Sequence, residues 1–87
     1  MKILQLKDIT RKDVPIYYRR HYSGIAVLEL LNKSIERRID FMIETKPTGV
    51  KEISISISEP VDYPLTPLIK ELKQFVIKLD DSGGLPG

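Results

Sequence analysis

From Ile53 to Ser58 the chain alternates Ile and Ser without interruption, the period-two signature of a strand with one apolar and one polar face. Beyond a connector holding Pro60 and Pro64 the spacing changes. Leu65, Leu68, Ile69, Leu72, Phe75, Val76 and Leu79 fall within an arc of roughly 120° at helical pitch, which predicts one amphipathic helix from about Pro67 to Leu79. Thr66 is placed to cap it and Pro67 to occupy its first turn. Ile77 lies outside the stripe. Asp80 to Gly84 should end the helix, so the expected organisation is one domain over 1–82 with a flexible tail over 83–87.

Upstream, Lys2 to Leu6 reads as a short strand, and Lys7 to Asp13 with Pro15 as a loop. Ile16 to Tyr22 has high strand propensity, and Ser23-Gly24 reads as a tight turn into a strand over Ile25 to Leu31. Asn32-Lys33-Ser34 is a second turn leading to a strand over Arg37 to Thr45. Lys46-Pro47-Thr48-Gly49 carries Pro and Gly where a type I turn favours them, so Arg37–Thr45 and Lys51–Ser58 should form a hairpin. The predicted fold is α+β: a four- or five-stranded antiparallel meander with one C-terminal amphipathic helix packed on one face.

Alternation divides the sheet. Ile53, Ile55 and Ile57, with Ile39, Phe41 and Ile43, should lie under the helix, joined by Ala26, Leu28, Leu30, Ile16, Tyr18 and Tyr22. Ser54, Ser56 and Ser58 should share the open face with Arg38, Asp40, Met42 and Glu44, and with Tyr17, Arg19, His21, Ile25, Val27 and Glu29. Apolar residues on both sides of the central strand predict a partner on that open face.

Composition narrows the classes. With 87 residues and no Cys, neither disulfides nor thiolate metal sites support the small core, and His21 is the lone histidine. Oligomerisation is the remaining common support, so a homodimer is expected. No apolar run has the length of a membrane span and Met1 to Leu6 lacks a signal-peptide core, which makes the cytoplasm the expected location. Residues 1–50 hold ten Lys/Arg against six Asp/Glu, whereas residues 51–87 hold four against six. The N-terminal half is the basic half, a modest pointer to a polyanion.

Chemistry concentrates in Tyr17-Tyr18-Arg19-Arg20-His21-Tyr22. Aromatic rings on a strand stack on unpaired bases while Arg and Lys neutralise phosphate. The same residues also serve as ordinary strand and edge residues, and only half the run shares any one face. No second group is spaced to work with His21, Asp40 and Glu44 suit solvation, and Gly24 and Gly49 are turn glycines, so no enzyme, metal site or cofactor is predicted.

Four antiparallel strands followed by one helix, with the Ser/Ile strand running through proline into a Leu/Lys/Gln helix over Ile55 to Asp81, resemble the single-stranded-DNA-binding transcriptional coactivators of the positive-cofactor-four type. The resemblance implies a dimer and binding of unpaired strands on the sheet. The leading expectation is therefore a small non-catalytic protein binding single-stranded DNA or RNA through the open face. Its predicted contacts are Tyr17, Arg19, Arg38 and Lys46, with Arg20 and Tyr22 as secondary candidates that alternation can turn inward. The alternative is a protein-protein interaction module using the same face, which the absence of Trp and the nearly balanced charge favour.

Overall fold

In the computed structural model, which describes residues 1–87, four strands run in sequence order as an antiparallel meander. They are β1 (Lys2–Lys12), β2 (Arg19–Leu30), β3 (Lys33–Thr45) and β4 (Lys51–Ile57), followed by α1 (Leu65–Asp81). The predicted α+β fold with a C-terminal helix is the fold observed.

The strands differ from the expected ones in length and joints. Ser23-Gly24 is not a turn: β2 runs straight through it, pairing Tyr22 with Phe41 and Ala26 with Arg37 in one unbroken register. What the glycine supplies is room. A Cβ at Gly24 would lie 3.2 Å from Ile9 Cγ1 and 3.3 Å from the Lys7 carbonyl oxygen, where the register of β1 shifts between Lys7 and Thr10. Asp8, within that shift, has φ 52. The polar stretch Lys7 to Lys12, read as a loop, is thus the second half of a bulged edge strand, with Lys7, Thr10 and Lys12 on its wet side.

The true β2–β3 turn is Leu31-Asn32, both in the left-handed region at φ 49 and 63, between the paired Leu30 and Lys33. This is the two-residue loop whose twist matches a hairpin. The β3–β4 turn falls at Lys46–Gly49 as expected, closed by Gly49 N–H to Lys46 O at 2.8 Å.

The helix begins at Leu65, two residues earlier than expected, with Pro64 at its N-cap and no side chain capping it. Thr66 therefore sits inside the first turn, not before it. At the other end Gly83, φ 75, lets Gly84 N–H reach Leu79 O at 2.7 Å and Gly83 N–H reach Asp80 O at 3.2 Å, a Schellman closure. Leu85 then packs against the edge of the core.

Leu68, Leu72 and Val76 share one buried cluster with Tyr22, Ala26, Leu28, Ile39, Phe41, Ile43 and Ile53, the set that alternation predicts. The helix backbone comes closest to the two outer strands, β4 and β1, while its side chains reach residues of the central ones. The sheet is thus curved around the helix, and its open face is the convex one. Tyr22 is 1% exposed, its ring stacked on Phe41 with centroids 5.0 Å apart.

Candidate binding cleft at the tyrosine end of the sheet

Strand pairing places Lys2, Lys7, Lys12, Arg19 and Arg38 on the convex face, together with Glu29, Glu36, Asp40, Glu44 and Glu52. Five cations thus meet five anions, and the basic excess of the N-terminal half does not survive as a basic surface. Three of these cations lie in ion pairs across strands: Lys7 with Glu36 at 2.8 Å, Lys12 with Asp40 at 3.3 Å and Arg19 with Glu44 at 2.8 Å. Their aliphatic stems lie over the central strand, where Val27 is 8% exposed. The Ser23 hydroxyl also donates to Asp40, and that bond, seconded by Lys12, holds the Asp40 carboxyl below its ordinary pKa.

Exposed apolar surface collects instead at one end of the sheet. The β1–β2 connection brings Tyr17 and Tyr18 beside the β3–β4 turn, where Thr45 N–H donates to Tyr18 O at 2.9 Å and Arg19 N–H to Ile16 O at 3.2 Å. Those bonds fix the backbone on both sides of Tyr17, whose side chain is 97% exposed. The two tyrosine rings meet edge to face, centroids 5.7 Å apart, and the Arg19 guanidinium lies 5.5 Å from the Tyr18 centroid. Tyr17, Tyr18, Glu44, Thr45, Lys46 and Pro47 line a cleft of about 640 Å³, larger than the 260 Å³ depression around His21 and Met42 on the convex face. The mouth of the cleft is charged but balanced: Arg19 is held by Glu44, and Lys46 by Glu52 at 2.8 Å. The Glu52 bond raises the Lys46 pKa, and the same bond lowers that of Glu52.

Of the six candidate residues, Tyr17, Arg19 and Lys46 converge on this cleft. Arg38 lies on the convex face, paired across from Ile25, away from it. Arg20 and Tyr22 point to the helix side: Arg20 grips Asp80, its Nη1 also lies 3.3 Å from the Tyr22 hydroxyl, and Tyr22 belongs to the core. Neither is a surface contact. Sequence reasoning missed Tyr18, Thr45 and Pro47 as lining residues, because Ile16–Tyr22 read as a strand would point Tyr18 inward. The signal was Pro15, which ends any ladder just before the tyrosines. No three His, Cys, Asp or Glu side chains come together as metal ligands, and no helix is long and apolar enough to cross a membrane.

A curved four-stranded antiparallel meander closed on its concave side by one C-terminal helix is thus the class of protein defined by the fold, in agreement with the architecture that the coactivator resemblance implied. Within that class the chain belongs to the BB_0187 family, whose profile matches residues 1–81, the whole sheet and the helix. No curated protein and no solved structure matches the chain.

Proposed function

We propose that this protein is a non-catalytic cytoplasmic interaction module that docks a polypeptide partner at the tyrosine cleft. The observation carrying this reading is Tyr17, an aromatic ring 97% exposed on a backbone pinned by hydrogen bonds on both sides. A tyrosine is a large amphipathic anchor with few rotamers to immobilise, the residue type enriched at protein interfaces, and Pro47 with exposed Val50 extends the apolar area. The balanced charge of the convex face and of the cleft mouth suits a polypeptide better than a polyphosphate.

A second reading keeps the same cleft for an unpaired nucleic-acid base, favoured by the convergence of Tyr17, Arg19 and Lys46. One pair of measurements separates the two. A labelled mixed-sequence single-stranded oligonucleotide is titrated at low and moderate salt, and crosslinked protein partners of the wild type and of Tyr17→Ala are compared in cell extract. Absence of oligonucleotide binding, with a partner held by the wild type and released by Tyr17→Ala, is expected. Saturable, salt-sensitive binding lost in Tyr17→Ala selects the nucleic acid, and a partner indifferent to Tyr17 removes the cleft from both readings.

A further inference from the structure

The two edges of the sheet are not alike. β1 carries Lys2, Lys7, Arg11 and Lys12 and two register shifts, between Ile3 and Gln5 and between Lys7 and Thr10, which are the devices that keep an edge from pairing with another chain. β4 has none of them between Ile53 and Ile57: no charge, no proline, no bulge, and an unshifted register against β3.

Its free hydrogen-bonding groups can be identified. Lys46 N–H bonds Val50 O at 2.9 Å and Ser58 N–H bonds Arg38 O at 3.3 Å, so these two pairs bracket the β3–β4 ladder as hydrogen-bonded pairs. Bonding alternates every second residue in an antiparallel ladder. Glu52, Ser54 and Ser56 therefore turn their N–H and C=O toward β3, whereas Ile53, Ile55 and Ile57 turn theirs outward, where no other strand, backbone group or side chain meets them.

We infer that β4 pairs antiparallel with β4 of a second copy of this chain about a two-fold axis through Ile55. The sequence is self-complementary about that centre. Ile55 faces Ile55 of the second copy, Ile53 faces Ile57, Ser54 faces Ser56, and at the rim Lys51 comes opposite Glu59. The parity agrees as well. All three isoleucines offer outward groups, so each Ile pair exchanges both of its bonds, roughly six across the interface. Ile55 and Ile57, half-buried in the single chain, would then continue the apolar layer of one sheet into the other. The contact is isologous and closes at two copies, while the bulged, basic β1 edge blocks the open-ended β4 to β1 alternative that would make a filament. This interface lies outside the tyrosine cleft and does not depend on the reading given to it.

The test is mass by light scattering after size exclusion, with amide exchange followed residue by residue. The wild type is expected at twice the 10.0 kDa of the chain. The amides of Ile53, Ile55 and Ile57 are expected to exchange at least tenfold more slowly at high protein concentration than at low. Ser54→Lys with Ser56→Lys sets like charges directly opposite across the axis and should raise the dissociation constant at least tenfold. Ser54→Glu with Ser56→Lys sets opposite charges there, keeps a lysine beside Asp40 as the first variant does, and should restore the dimer. A wild type that stays monomeric at about 100 µM, well above the 1 µM scale of a moderate complex, overturns the inference. So does a dimer that the double-lysine variant leaves intact, or edge amides that exchange freely in a dimer.

Discussion

Arg20 holds Asp80 with both of its terminal nitrogens, Nη1 on Oδ1 and Nη2 on Oδ2, each at 2.9 Å, and so ties the first turn of β2 to the last turn of α1. Lys51 reaches the same carboxylate at 2.6 Å from the start of β4, and the Asp80 side chain is only 9% exposed. A forked, partly desolvated pair of this kind is stronger than a surface ion pair. The two Arg20 bonds, followed by that of Lys51, hold the Asp80 carboxyl far below the usual carboxylate range. A folded-state pKa below the unfolded one means that the stabilisation is complete above the unfolded value of about 4 and is lost as pH falls through the folded one. Asp80→Asn should therefore cost about 2 kcal/mol at pH 7, with the gap to wild type closing steadily below about pH 4. Urea unfolding across pH reads this directly, and an equal gap at pH 7 and pH 2 would contradict it.

The close approach of Gly24 to β1 gives a second expectation. Gly24→Val would push a branched side chain against Ile9 Cγ1 and the Lys7 carbonyl, neither of which can retreat without opening the bulge. Overpacking of this sort should destabilise by about 1–3 kcal/mol, with amide exchange rising first in β1. If Gly24 were a turn glycine, as Ser23-Gly24 suggests at first reading, the loss would instead fall on the middle of β2.

Why the faces were legible and the joints were not follows from what each depends on. The assignment of Ile39, Phe41, Ile43, Ile53 and Ile55 to the helix side rests on parity, which survives any error in where a strand starts. Tyr22 and Ala26 share parity, so reading a turn between them still put both on the correct side. Joints depend on backbone geometry that composition disguises. Ser-Gly resembles a turn but serves a bulge in the neighbouring strand, while Leu31, a poor left-handed residue, takes the real turn. The site was legible only where one residue sufficed. Tyr17 was named, whereas the neutrality of the convex face depends on which carboxylate stands opposite which cation, a matter of register between Lys7 and Glu36, 29 residues apart.

That real turn offers a stabilising change. Leu31 is 87% exposed, so no packing holds it in the left-handed region, which disfavours a leucine by roughly 1–2 kcal/mol. Leu31→Asn with Asn32→Gly installs the dipeptide preferred in two-residue hairpin loops and should stabilise by about 1 kcal/mol. For a domain of this size that is a rise in Tm of about 4–8 °C, measurable by calorimetry. An unchanged or lower Tm would mean that Leu31 has a contact in solution that offsets its strain.

Tyr17 and Tyr22 belong to one six-residue run, yet their truncations should have opposite consequences. Tyr22 is sealed in the core against Phe41, so Tyr22→Ala should cost about 3–5 kcal/mol and leave much of the chain unfolded at moderate temperature. Tyr17 rests on almost nothing within the chain apart from the edge of Tyr18, so Tyr17→Ala should shift stability by less than about 0.5 kcal/mol. Binding separates them a second time. Any loss in Tyr22→Ala should vanish once affinity is expressed per folded molecule, whereas the loss in Tyr17→Ala should persist in a fully folded protein. Calorimetric stability and partner affinity measured on the same two samples decide the matter: a Tyr17→Ala protein that is fully folded and binds its partner as tightly as wild type removes the aromatic anchor from the proposed mode of docking.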